Sequence, residues 1–235
     1  AGIGNCASAL IQGLEYYRQN PEETVGLVDY SIGGIEPNDI EFVAAFDVND
    51  KKVGSDLSDA IFAHPNNTAK IIDVPNIGVD VSRAPVKDGI GKYLKDIVEV
   101  NDPNGSDVVD ILKSSGADML INYLPVGSTD ATKYYAQCAL DSNIGFINSM
   151  PVFIASNPEW QNKFVDKGLP IAGDDVMSQL GATVVHKSLI KLFVERGVKI
   201  DETYQLNIGG DADFLNMLEE SRLVDKRESK TSAVR

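Results

Sequence analysis

Cysteine and histidine are scarce in this chain, at two each in 235 residues. Cys6 and Cys138 stand far apart with no C-x-x-C spacing. That argues against a disulfide framework or a zinc knuckle and fits a reducing compartment, so a cytoplasmic location is expected. His64 and His186 are equally isolated, and neither has the spacing of a metal ligand, so no metal site is expected from protein side chains. Basic residues are also short: 21 Lys and Arg face 35 Asp and Glu, a net charge of −14. Nucleic acid needs a basic field and is not an expected partner. No apolar run approaches the roughly 20 residues that span a bilayer, and no basic start leads into an apolar stretch, so neither a membrane nor a secretory signal is expected.

What is present is ordinary for a folded enzyme: 43% hydrophobic and 24% charged residues, over a length that gives one to two domains and a useful core. Gly2-Ile3-Gly4-Asn5-Cys6-Ala7 reads G-x-G-x-x-A and runs into apolar residues at helical spacing. This is the loop-to-helix half of a dinucleotide fingerprint. The strand that should feed the loop is expected upstream of Ala1. Residues 20–40 read as an insertion rich in Pro, Gly and acids. Residues 42–46 predict a buried parallel strand ending at Asp47, and residues 54–62 a helix with capping types at its start. The rhythm continues with helices at 108–112, 129–140 and 160–165 and strands at 118–124, 144–147 and 169–172. Strands alternating with helices imply βαβ units and a doubly wound parallel sheet. After residue 182 the pattern changes to an amphipathic helix at 184–195, an alternating strand at 202–208, a turn at 209–213 and a helix at 214–223. That stretch is too short to close a second domain.

Ligands bind at the carboxyl ends of such sheets. Four ends carry polar or glycine-rich residues: 2–7, Asp47, 122–128 and 173–178. The glycines of the loop admit a pyrophosphate to backbone N–H groups at a helix N-terminus. Asp47 stands where a carboxylate accepts from a ribose diol, although it lies 45 residues after Gly2 rather than roughly 20; the 20–40 insertion accounts for the gap. Asp56 is a second candidate, with helix capping as its plainer role. Tyr134 and Tyr135 are more often packing residues, though one hydroxyl would lie near the cleft. In the tail, Lys226 and Lys230 share one helix face. Two ammoniums there could clamp a phosphate or an enolate oxyanion, but spacing alone is better explained by a solvated charged helix end.

Several stretches resemble the prokaryotic type of the myo-inositol-1-phosphate synthase (inositol-3-phosphate synthase) family. They are residues 2–8, 42–48, 123–128, 151–156 and 173–175, then 206–210, 213–218 and 229–231, in order along the whole chain. The resemblance implies an α/β fold, a Rossmann-like doubly wound sheet with the start of an inserted α+β catalytic and tetramerisation domain. The division it implies is 1–182 for NAD binding, with its first strand missing, and 183–235 for part of the catalytic and oligomerisation domain. It implies an isomerase of inositol and phospholipid biosynthesis that converts D-glucose 6-phosphate into 1D-myo-inositol 3-phosphate by NAD-dependent oxidation, enolisation, aldol-type ring closure and reduction. A divalent or monovalent cation is admitted as a second cofactor, a sugar phosphate is the small-molecule partner, and the full-length protein is expected to be a homotetramer.

By the same resemblance, Lys226, Lys230 and Asp213 are the catalytic residues. Gly2, Gly4, Asn5, Cys6, Ala7, Asp47, Asp56, Tyr135, Asp175 and Ser178 are the cofactor-binding ones. Met177 departs from a common lysine, and Asp211 and Ala212 from a stretch where asparagine is common. Two other functions stay open: an NAD-dependent sugar-phosphate dehydrogenase and a non-catalytic NAD-binding module. The chain is read as a piece, and further active-site lysines are expected beyond Arg235.

Overall fold

The computed structural model describes residues 1–176 and 181–233. In chain order its elements are α1 (Asn5–Gln19), β1 (Ala45–Asp47), α2 (Leu57–Ala60), β2 (Val81–Arg83), α3 (Val108–Ser115), β3 (Met119–Asn122), α4 (Thr129–Ser142), β4 (Gly145–Asn148), α5 (Pro158–Asp166) and β5 (Ile171–Ala172). Then come α6 (Ala182–Glu195), α7 (Ala212–Asn216) and α8 (Val224–Ala233). Short polar side chains start the helices of the sheet. Asp107 accepts from the Val109 and Asp110 amides at the start of α3, and Asn157 from Glu159 and Trp160 at the start of α5. Gly116 and Asn143 end α3 and α4 in the left-handed conformation.

All ladder pairs are parallel. β1 pairs with β2, Ala45 opposite Val81, and β4 lies between β3 and β5, with Asn122 opposite Asn148 and Ile147 opposite Ala172. The first residues join the two groups. Gly2 donates to the Phe46 carbonyl at 2.9 Å, and Tyr123 donates to the Ala1 carbonyl at 2.9 Å. Residues 1–3 therefore occupy the position between β1 and β3. Counting that segment first, the sheet runs 3-2-1-4-5-6, the Rossmann order, with its switch point between residues 1–3 and β3.

The pleat of β1 divides the interior. Ala45 packs with Ile3, Ile11, Leu57, Ile61 and Val81, whereas its neighbour Phe46 packs with Leu112, Ala136, Phe146 and Ile154 in a larger cluster. Adjacent strand residues point to opposite faces, so one strand feeds both cores of a doubly wound sheet.

The structure departs from the sequence reading in several places. The second strand is 45–47 rather than 42–46. β2 went unforeseen, because Val81-Ser82-Arg83 is too short and polar to stand out. Residues 201–210 form no strand; Tyr204 and Ile208 are each 87% exposed, and an alternating pattern without a partner ladder does not make a strand. The helix expected over 214–223 breaks after Asn216 and resumes as a 3-10 turn, Glu220–Leu223. Met177 and Ser178 lie outside the described residues. Among those residues no helix is long and apolar enough to cross a membrane.

Candidate functional site

The glycine loop sits at the switch point. Gly2 has φ +81°, and a Cβ there would lie 2.7 Å from the Tyr123 carbonyl oxygen, so only glycine fits. Gly4 is the reverse: a Cβ would meet nothing within 4 Å. Gly4 is also the N-cap of α1, where no side chain caps the helix and no acid stands in the first turn. Among the described residues, the Gly4, Asn5 and Cys6 amides engage no acceptor. Such a helix end suits an anion. Ala7 is buried on α1, together with Ile11 and Leu14. The Asn5 side chain is committed elsewhere: its oxygen accepts from the Asn67 and Thr68 amides and the Thr68 hydroxyl. Only its backbone remains for a ligand. Cys6 is exposed, yet the surrounding protein, and then the Asp213 and Asp211 carboxylates, hold its thiol above the usual range. α7 therefore starts close to the loop.

Asp47 ends β1 as expected. Its carboxylate accepts from the Ile3 amide at 2.8 Å and from the Val48 and Asn49 amides at 2.7 and 2.9 Å. With three of about four acceptor sites used by backbone, it first of all shapes the loop. Asp56 and Tyr135 are corrected as cofactor contacts. The Asp56 carboxylate accepts from the Ser58 amide and hydroxyl and from the Ile77, Gly78 and Val79 amides. It caps α2 and ties down a loop, which leaves no acceptor for a ribose. Tyr135 is 4% exposed, with its ring against Phe46 and Tyr134. Burial, and then the Asp47 charge, raise its phenol well above the ordinary value. It is a core residue on the inward face of α4.

The tail returns to the same end of the sheet. Val126 donates to Asp213 at 3.3 Å, and its carbonyl accepts from Asn216 and Arg222. Arg222 also donates to the Asp88 and Gly89 carbonyls, so one guanidinium joins three segments. These bonds seat α8 over the 125–128 loop. Lys226 and Lys230 lie one helical turn apart on α8, and each meets a carboxylate. Lys226 stands 3.8 Å from Asp213, and Lys230 stands 3.1 Å from Asp175, which also accepts from the Ser229 hydroxyl. Asp175 has φ +57°, a costly conformation for a non-glycine residue.

Several contributors to this arrangement were not singled out in the sequence reading, although Asn122 and Asp174 lie in strand ends that it marked. Asp174 accepts from the Ile154, Ala155 and Ser156 amides, the Ser156 hydroxyl and the Asn148 amide group. Asn122 and Asn148, both fully buried, link to each other at 3.0 Å across the ends of β3 and β4. Lys52 is only 4% exposed and lies beneath the glycine loop. In the sequence it is one of two adjacent lysines in a polar turn, which marks nothing. A cavity of about 310 Å³ opens between Thr129, Glu219, Arg222 and Asp225. Neither α8 lysine lines it, and Arg222 is already spent on carbonyls, so it is not the place for an anion. Among the described residues no group of three His, Cys, Asp or Glu side chains could hold a metal ion.

Comparison with known proteins bears on this geometry. A family model for myo-inositol-1-phosphate synthase matches residues 181–235. The inositol-3-phosphate synthase of Mycolicibacterium smegmatis is 57% identical over 235 residues, covering 99% of this chain and 65% of that protein. The inositol-3-phosphate synthase of Corynebacterium glutamicum is 53% identical, covering 100% of this chain and 65% of its own length. The crystal structure of Ari2 superposes with a TM-score of 0.80 at 36% identity, covering 99% of this chain and 65% of that one. A myo-inositol-1-phosphate synthase-related protein from Thermotoga maritima shares the fold, with a TM-score of 0.73 at 23% identity over 99% of this chain and 68% of its own. The chain thus spans about 65% of the length of the curated relatives it matches. Along nearly its whole length the chain is similar to inositol-3-phosphate synthases, and its residues 181–235 match the model of the myo-inositol-1-phosphate synthase family.

Proposed function

We propose that the chain carries the NAD-binding portion and part of the catalytic portion of an enzyme that isomerises D-glucose 6-phosphate to 1D-myo-inositol 3-phosphate. One observation carries the reading: α8 brings two ammoniums, each beside a carboxylate, to the sheet end that holds an open glycine loop. In a chain of net charge −14, a local cationic pair is what an anionic substrate requires.

The glycine loop fits a dinucleotide, because Gly4 faces open space at an uncapped helix start. Gly4 and the amides of Asn5 and Cys6 would hold its pyrophosphate, Gly2 would shape the turn beneath it, and Asp47 is the remaining candidate for a ribose. Asp175 and Ser178 are assigned to its nicotinamide end. When bound, NAD supplies a hydride acceptor that is restored within the same turnover, so the net change is an isomerisation. Lys226 and Lys230 bind the substrate phosphate and stabilise oxygens that gain negative charge on enolisation and ring closure. An ammonium lowers a barrier only where its interaction strengthens in the transition state, and a carbonyl oxygen becoming an oxyanion meets that condition. Asp213 and Asp175 orient the two ammoniums. A cytoplasmic homotetramer belongs to the same reading, supported by Val185, Leu189, Leu192 and Phe193, which α6 leaves exposed.

The test is to incubate the full-length protein with glucose 6-phosphate and NAD. Inositol phosphate should form without net NADH, and Lys226→Ala or Lys230→Ala should each lower kcat by roughly 10²–10³ while NAD binding persists. Stoichiometric NADH would select a sugar-phosphate dehydrogenase instead. NAD binding without turnover would select a non-catalytic module.

A further inference from the structure

The middle residue of the G-x-G turn is held from both sides. Asp47 accepts from the Ile3 amide at 2.8 Å. The Ile3 carbonyl accepts from the Lys52 ammonium at 2.7 Å and from the Asn66 amide group at 3.0 Å. Asn66 in turn accepts from Lys52 at 2.9 Å and donates to the Ile61 carbonyl. The Lys52 ammonium thus has two good hydrogen bonds but stands 3.9 Å from its nearest carboxylate, Asp47. Burial, against the opposing pull of Asp47, holds its pKa below the usual lysine value. Burying a cation is costly even beside a carboxylate, and an apolar side chain of similar length would serve stability as well. The cost points to a task beyond stability.

We propose that Lys52 is a positioning residue of the dinucleotide site, acting through the Ile3–Gly4 peptide. A trans peptide is planar, with its C=O and N–H pointing in opposite directions. Holding the Ile3 carbonyl on the buried ammonium turns the Gly4 N–H away from the interior, toward the open side of the loop. The cation also polarises the amide it binds, which makes the Gly4 N–H a stronger donor. Lys52 touches no ligand itself. Its effect falls on the anion-binding amide, so it should be felt by the pyrophosphate of a dinucleotide and not by an adenosine.

This inference rests on the NAD reading above, and titration calorimetry on the full-length protein separates the two. NAD, ADP-ribose and adenosine are titrated into the wild type, Lys52→Met and Lys52→Arg. Lys52→Met should weaken NAD and ADP-ribose at least tenfold and leave adenosine within twofold. Lys52→Arg, which keeps a cationic donor, should recover most of that loss. If Lys52→Met does not fold, Lys52→Leu, which likewise has no donor, carries the same expectation. NAD binding by the folded neutral variant within twofold of wild type overturns the proposal. So does an equal loss for NAD and adenosine, which would mark a general disturbance of the fold. A wild type that binds no NAD refutes the parent reading instead.

Discussion

Replacing Asp56 separates a structural carboxylate from a cofactor ligand. Asp56→Ala removes the N-cap of α2, a loss of about 1 kcal/mol. It also strips acceptors from the Ile77, Gly78 and Val79 amides. These lie in a partly exposed loop that water can reach in part, so they add about 1–2 kcal/mol together. The expected destabilisation is about 2–3 kcal/mol. The charge gives a second estimate. Burial alone would push the Asp56 pKa up, but the hydrogen bonds from Ser58, Ile77 and Gly78 prevail and bring it down to about 2. Ionisation is therefore favoured in the folded chain by about 2.5 kcal/mol before screening, and by roughly half that once partial exposure is allowed for. The folded pKa is depressed, so this contribution is present above the unfolded value of about 3.9 and fades as pH falls toward about 2. Urea unfolding at neutral pH and at pH 3 should show the gap between wild type and Asp56→Asn shrink with acid. NAD affinity should stay within twofold throughout. A tenfold loss of NAD affinity with unchanged stability would refute the capping argument and restore Asp56 to the cofactor site.

The two glycines of the loop should respond differently. Gly2→Ala forces a Cβ against the Tyr123 carbonyl at φ +81° and should cost about 2 kcal/mol or more in thermal unfolding. Gly4→Ala should leave stability within about 0.5 kcal/mol yet lower NAD affinity, because its methyl would stand where the pyrophosphate comes. Asp174→Ala leaves three amides and the buried Asn148 group without their acceptor. It should cost about 3 kcal/mol or more in urea and reduce turnover further by releasing Asp175 from Lys230; an activity unchanged in the folded variant would count against that coupling.

Local and periodic features were legible in the chain. The alternation of short apolar runs with capped helices announced a parallel doubly wound sheet, because each element's hydrophobic period shows in its own residues. The glycine loop was legible because its small residues are consecutive. The lysine pair was visible as a spacing, but spacing could not distinguish a solvated face from a site. It was the seating of α8 by Arg222 and Asn216 on Val126 that set each lysine beside a carboxylate far away in sequence. The strand expected at 202–208 shows the opposite limit, since alternation describes a face but does not supply a partner.

By itself, the sequence determined the class of fold, the position of the glycine turn and the family resemblance. All three rest on residues that are neighbours along the chain or recur in order. Tertiary structure alone decided which polar side chains serve the fold and which are left for chemistry. Asp47, Asp56 and Asp175 are alike as carboxylates at the ends of runs. They differ in how many backbone amides converge on each, and those amides come from segments up to 44 residues away. Lys52 differs from Lys51 only because the chain turns it under Ile3. Hydrogen bonds and burial depend on distance in space, and no pattern along the chain encodes it for residues so far apart.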